Sequence, residues 1–156
     1  MGLENSGAVG NVQRAAWVGE SHRTVDHGNV YQGGCHCGAV RFQVGVDRHE
    51  ATACNCSICL KKGFLHLIVP PENFTLLQGA EVLTTYTFNT GTAQHTFCRI
   101  CGIHSFYRPR SHPDQFDVNV HCLDGDLRDR FAVTEFDGLN WEDNIHQLQP
   151  PDSPYL

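Results

Sequence analysis

The chain has no long hydrophobic run. Near its start the longest is Ala15-Ala16-Trp17-Val18, short of the ~7–15 apolar residues of a secretory signal. No stretch approaches the ~18–20 residues that a membrane-spanning helix needs. Positive charge is also scarce. Eleven Lys and Arg stand against seventeen Asp and Glu, a formal net charge of −6. That balance argues against binding nucleic acid through phosphate neutralisation and against attraction to an anionic membrane surface. Charged residues make up only 18% and apolar residues 40%, so the chain is not of the charge-rich, aromatic-poor kind that stays disordered. No solenoid-type repeat is present. What remains is one globular domain, the expectation for 156 residues, long enough to bury a core.

Apolar alternation and turn residues indicate a mainly β class. Residues 1–29, rich in Gly, Asn, Ser and His, read as an N-terminal extension, with Trp17 and Val18 the side chains able to tack it onto the domain. Regular structure starts at Val30-Tyr31-Gln32. Val40 to Val46 alternates with the period of a half-buried strand, and Phe64 to Val69 is a β-rich run stopped by Pro70-Pro71. Val82 to Phe88 and Ala93 to Phe97 form a hairpin around Asn89-Thr90-Gly91. His104 to Tyr107 and Phe116 to Val120 complete the strands. A turn after Cys59 and the segment Trp141 to Leu148 are the helical candidates. The domain is expected over 30–149, followed by an irregular tail over 150–156.

Eight cysteines and ten histidines carry the chemistry. With no secretory signal in view, the expected setting is the reducing cytoplasm, where spacing decides what cysteines do. Seven fall into three groups: Cys35-His36-Cys37, Cys54-Asn55-Cys56-Ser57-Ile58-Cys59 and Cys98-Arg99-Ile100-Cys101. Glycines at 33, 34, 38 and 102 permit tight turns, in which two sulfurs of one short segment can converge on a metal at ~2.3 Å. The favoured partition joins Cys35, Cys37, Cys98 and Cys101 around one structural zinc. It leaves Cys54, Cys56 and Cys59 as three ligands from one loop, the pattern of a catalytic zinc with an open position. Other partitions stay open, including a purely structural second zinc closed by a histidine or by Cys122. The spacing follows neither ferredoxin pattern, and Cys122 reads as a small buried hydrophobe.

Gly34-Cys35-His36-Cys37-Gly38-Ala39-Val40-Arg41-Phe42, the loop from Cys54 to Cys59 and His95-Thr96-Phe97-Cys98-Arg99-Ile100-Cys101-Gly102 resemble the glutathione-dependent formaldehyde-activating enzyme family. The likeness covers roughly residues 31–142 and extends in particular to the branch containing the domain of centromere protein V. Tyr86-Thr87-Phe88-Asn89-Thr90, Ser105-Phe106-Tyr107 and His121-Cys122-Leu123-Asp124 strengthen it. A centromeric role does not follow, because residues 1–29 hold only Arg14 and Arg23 as fixed cations. The resemblance implies a β-tent of antiparallel sheets pinned by zinc, and two zinc ions on the two ligand sets above. It also implies a carbon–sulfur lyase reaction that condenses formaldehyde with glutathione to S-(hydroxymethyl)glutathione.

The residues suit that chemistry. A thiol entering the open position of a three-thiolate zinc loses its proton, and a neutral histidine can shuttle a proton to the adduct oxygen. His95, His104 and His121 lie nearest the motifs, with His95 the first choice. Lys61, Lys62 and Arg99, followed by Arg108 and Arg110, are the cations expected to meet glutathione's carboxylates. Expected partners are therefore a small thiol, glutathione foremost, and a small aldehyde, with neither nucleic acid nor membrane. The competing classes are a non-catalytic zinc module that binds a protein partner and a carrier of thiol or zinc.

Overall fold

The computed structural model describes residues 29–148. Its strands are β1 (Val30–Gly34), β2 (Arg41–Gly45), β3 (Glu50–Cys54), β4 (Leu65–Val69), β5 (Phe74–Gln78), β6 (Leu83–Tyr86), β7 (His95–Cys98), β8 (Phe106–Tyr107), β9 (Phe116–Asn119) and β10 (Ala132–Phe136). Two short helices, α1 (Ser57–Lys62) and α2 (Trp141–Asn144), complete the regular structure apart from single 3-10 turns. The mainly β expectation holds. The extension expected over 1–29, Asn29 apart, and the tail over 150–156 lie outside the described residues.

The strands form three sheets, ordered β1-β2-β5, β10-β3-β4-β9-β8 and β6-β7. The five-stranded sheet positions the site, because its two faces differ. On one face Leu65, Leu67 and Val69 of β4 and Phe116 and Val118 of β9 are buried in the core. Facing them across the core, the three-stranded sheet contributes Phe42, Val44 and Phe74. Phe74 stacks on Phe116 at 4.2 Å and on Phe42 at 5.6 Å between ring centroids, and meets Phe106 at 4.7 Å. Full burial of each such side chain stabilises the fold by about 1.5–3 kcal/mol. Side chains alternate across a strand, so the other face presents Cys54, His66, Ile68, Asp117, Tyr107 and Phe136, all lining a cavity.

Two features depart from the sequence pattern. It does not mark β3, β5 or β10 as strands. β3 (Glu-Ala-Thr-Ala-Cys) carries no large apolar side chain, and β10 is an edge strand exposed except at Phe136, so neither shows the alternation of a half-buried strand. The sheets are also not wholly antiparallel: β10 pairs parallel with β3, Phe136 opposite Cys54. The hairpin forms as expected, with Tyr86 opposite His95 and Leu83 opposite Cys98, and Asn89 and Gly91 at positive φ in its turn. The segment from Trp141 is helical only to Asn144 and continues as a 3-10 turn over Ile145–Gln147.

Candidate active site and metal centres

Cys35, Cys37, Cys98 and Cys101 converge, their sulfurs within 4.8 Å of one another. Two matching turns bring them together. In the first, Gly38 N–H donates to the Cys35 carbonyl at 3.1 Å; in the second, Gly102 N–H donates to the Cys98 carbonyl at 2.7 Å. Gly38 and Gly102 both sit at φ 76°, a conformation that L side chains rarely adopt. Cys35 Sγ lies 3.5 Å from Cys37 Sγ, and Cys37 Sγ 3.7 Å from Cys98 Sγ. Four sulfurs at ~2.3 Å around a tetrahedral ion would stand about 3.8 Å apart, so this set fits zinc. Val40 N–H donates to Cys35 Sγ at 3.3 Å, the kind of bond that supports a ligating thiolate.

Cys54, Cys56 and Cys59 form the second cluster. Cys54 ends β3, Cys56 caps α1, and the first turn of α1 carries Cys59 back beside Cys56. Hydrogen bonds from Cys54 and Cys59 pull the Cys56 thiol far down, while those with Cys54 and Cys56 push the Cys59 thiol up. Three thiols this close cannot ionise together without a cation, which makes the donor set a fit for one. Asn55 holds the loop in place. Its N–H donates to the Phe136 carbonyl, its side-chain amide to Asp137 Oδ1 at 3.0 Å, and its side-chain carbonyl accepts from Leu139 N–H at 3.0 Å. Gly138 closes the contact: a Cβ there would stand 2.4 Å from Cys54 Sγ.

All three cysteines line a cavity of about 550 Å³. Among the described residues, no fourth His, Cys, Asp or Glu completes the set. His95 lines the cavity, 3% exposed. Its Nδ1 is 2.8 Å from Lys62 Nζ, and its Nε2 is buried with no partner. Burial, helped by the nearby Lys62 charge, lowers the His95 pKa to about 4, and burial lowers that of Lys62 to about 8. At neutral pH the ring is therefore uncharged and accepts from the Lys62 ammonium at Nδ1, which leaves its own proton on Nε2. Lys62 also lies over the Tyr107 ring at 4.7 Å.

The other expected residues are spread more widely. Lys61, one helical step of about 100° from Lys62, is exposed and lines a separate groove with His104, His121 and Cys122. Arg99 is exposed in the turn between Cys98 and Cys101, outside the cavity. Arg108 lies over Phe116 at 3.9 Å and donates to the Asp114 carbonyl. Arg110 does line the cavity, over Trp141 at 5.2 Å and 3.0 Å from Glu142. Cys122 Sγ is 3.9 Å from the His104 carbonyl; it lines a groove with Cys35 but belongs to neither ligand set. Sequence reasoning missed His66, Asp117 and Tyr107 on the cavity wall. For two of them the signal is a polar side chain on the second face of an otherwise apolar strand: His66 within Leu65–Val69, Asp117 within Phe116–Asn119.

A small, mainly β domain with two thiol clusters suited to metal, one closed and one open to a cavity, is the class that fold and site define. Comparison with known proteins narrows it. The family model described as glutathione-dependent formaldehyde-activating enzyme matches residues 30–135. A Rhodobacter sphaeroides protein of known crystal structure is 39% identical, with a TM-score of 0.62, over 67% of this chain and 99% of that one. The chain belongs to the glutathione-dependent formaldehyde-activating enzyme family.

Proposed function

We propose that the protein is a zinc-dependent carbon–sulfur lyase acting on a thiol–aldehyde adduct, with glutathione, formaldehyde and S-(hydroxymethyl)glutathione as the reacting set. The observation that carries this reading is the three-sulfur cluster opening on a cavity, with no fourth protein ligand among the described residues. Cys54, Cys56 and Cys59 would hold the catalytic zinc, and Cys35, Cys37, Cys98 and Cys101 the structural one. Zinc in the loop supplies Lewis acidity and keeps a substrate thiol ionised at neutral pH.

Condensation forms the S–C bond, breaks the carbonyl π bond and moves the thiol proton to oxygen; cleavage reverses each change. His95 offers its buried Nε2–H to the oxygen as charge develops there, and the Lys62 ammonium at Nδ1 fixes that tautomer. The apolar walls, among them Ile58, Phe88, Phe136 and Trp141, exclude water from the reacting atoms. Of the expected cations, Arg110 is the one lining the cavity and is placed to meet a glutathione carboxylate. Lys61 and Arg99 do not line the cavity. All eight cysteines are free thiols, which suits work in a reducing cytoplasm. Among the described residues no helix is long and apolar enough to cross a membrane.

A non-catalytic zinc module would close its second site with another side chain, and Cys122, the remaining cysteine, lies in a separate groove. The test is exchange NMR on glutathione and labelled formaldehyde. Wild-type protein should speed the approach to adduct equilibrium without moving it, and Cys56→Ser should not. Equal rates with and without protein would reject the lyase reading, and glutathione binding without acceleration would leave a carrier.

A further inference from the structure

The geometry points to a second imidazole for the same reaction: we propose that His66 carries the thiol proton to the adduct oxygen, with Asp117 as its positioning residue. The inference rests on the lyase reading and assigns a base that reading does not name. His66 Nδ1 lies 2.7 Å from Asp117 Oδ2. With the carboxylate accepting at Nδ1, the neutral ring carries its lone pair on Nε2. That Nε2 is buried and has no partner, on a side chain only 9% exposed that lines the cavity with the three cysteines. Asn119, opposite His66 in the sheet, does not occupy it: its side-chain oxygen accepts from Leu65 and His121 N–H, and its amide donates to the His104 carbonyl.

A buried histidine beside a carboxylate 1% exposed is an expensive arrangement for a sheet face. The same pairing orients imidazole bases in hydrolase triads. The rings of Phe64, at 4.8 Å, and Tyr107, at 6.2 Å, flank His66, and Tyr107 in turn stacks on His95 at 4.8 Å. Two imidazoles thus share one cavity in opposite tautomers. Lys62 makes His95 a donor at Nε2, and Asp117 makes His66 an acceptor at Nε2.

The step balances with one shuttle. His66 Nε2 takes the proton that the thiol gives up on entering the site, and the thiolate lone pair then forms the S–C bond. The carbonyl π pair moves to oxygen, which accepts a hydrogen bond from His95 Nε2–H. The proton on His66 then passes to that oxygen, restoring the neutral ring, and no further reactant is needed.

The test uses full-length, zinc-loaded protein with glutathione and labelled formaldehyde. A positioned base contributes about 10²–10⁴-fold. His66→Gln should therefore lower the maximal protein-dependent exchange rate by about 100-fold or more, with half-saturating glutathione shifted by less than about twofold. Asp117→Asn should lower the same rate with the same split. Nitrogen-15 imidazole spectra of the wild type should show the His66 proton on Nδ1, and Asp117→Asn should lose that preference. Because either variant can fail to fold, the wild-type tautomer decides independently: a proton on His66 Nε2 overturns the proposal. So does a folded His66→Gln variant as fast as wild type. A wild type that accelerates nothing overturns the lyase reading itself, and this inference falls with it.

Discussion

The two cysteine clusters use one ligand type in opposite settings. The four-cysteine cluster joins turns 61 residues apart, as Cys37 and Cys98 show, and ties the β1–β2 sheet to the β6–β7 hairpin. Its Cys35 and Cys98 belong to the core, with Cys98 wholly buried. The three-cysteine cluster draws every sulfur from the short segment that runs from the end of β3 into the first turn of α1, and faces a cavity. A cross-link between distant segments removes much of the entropy of the unfolded chain, whereas a cross-link within one short loop removes little. Closed and long-range is the arrangement of a staple; open and local is the arrangement of a reaction site.

That contrast breaks most visibly at the ligands. Structural zinc contributes apparent binding energies of about 10–16 kcal/mol in small domains, so Cys98→Ser should yield insoluble or unfolded protein. Cys56→Ser should keep the sheet signal in circular dichroism and lose about one zinc by elemental analysis. Equal unfolding of both variants would erase the distinction between the sites.

Gly138→Ala gives a smaller effect on the same side of the comparison. The added Cβ meets Cys54 Sγ at 2.4 Å and Cys56 Cβ at 3.0 Å, and overpacking of this kind costs about 1–3 kcal/mol. The domain should remain folded, with weaker zinc retention at the loop under chelator competition and no change at the four-cysteine site. Unaltered retention would show that the loop tolerates displacement.

Titration sharpens the comparison further. Burial lowers Lys62 to about 8 from an ordinary value of 10.5, so between those values the unfolded chain binds the extra proton. Stability should therefore rise with pH across that window. The protein-dependent exchange rate should fall through about pH 8, as the ammonium that fixes His95 is lost, and Lys62→Gln should abolish that limb. His95, near 4, should add no limb around pH 6.5. The smallest effect lies by the staple. Arg41 and Asp124 are paired at the surface, and the hydrogen bonds from Arg41 lower the Asp124 pKa. That pairing stabilises above the ordinary carboxylate range and is lost as pH falls through the lowered value. Asp124→Asn should cost no more than about 1 kcal/mol in a denaturant titration.

The ligand groups were legible because spacing within a short segment survives folding: Cys-x-Cys and Cys-x-x-Cys predict local convergence whatever the tertiary structure. The hairpin was legible for the same reason, its turn lying in Asn89-Thr90-Gly91. The cavity wall was not. His66 and Asp117 stand 51 residues apart and meet only through the β4–β9 register, which sets Ile68 opposite Asp117. Lys61 and Lys62 were indistinguishable in sequence, yet one helical step turns the first outward and the second onto His95. Gly138 carried no signal, since its constraint is the sulfur of Cys54, far back in the chain.

Zinc-edge X-ray absorption on the wild type, with and without glutathione, tests the central claim most directly. One four-sulfur and one three-sulfur site should average about 3.5 sulfurs per zinc, rising to about 4 when the thiol fills the open position. Four sulfurs per zinc before glutathione is added, or a sulfur count that glutathione leaves unchanged, would contradict the account.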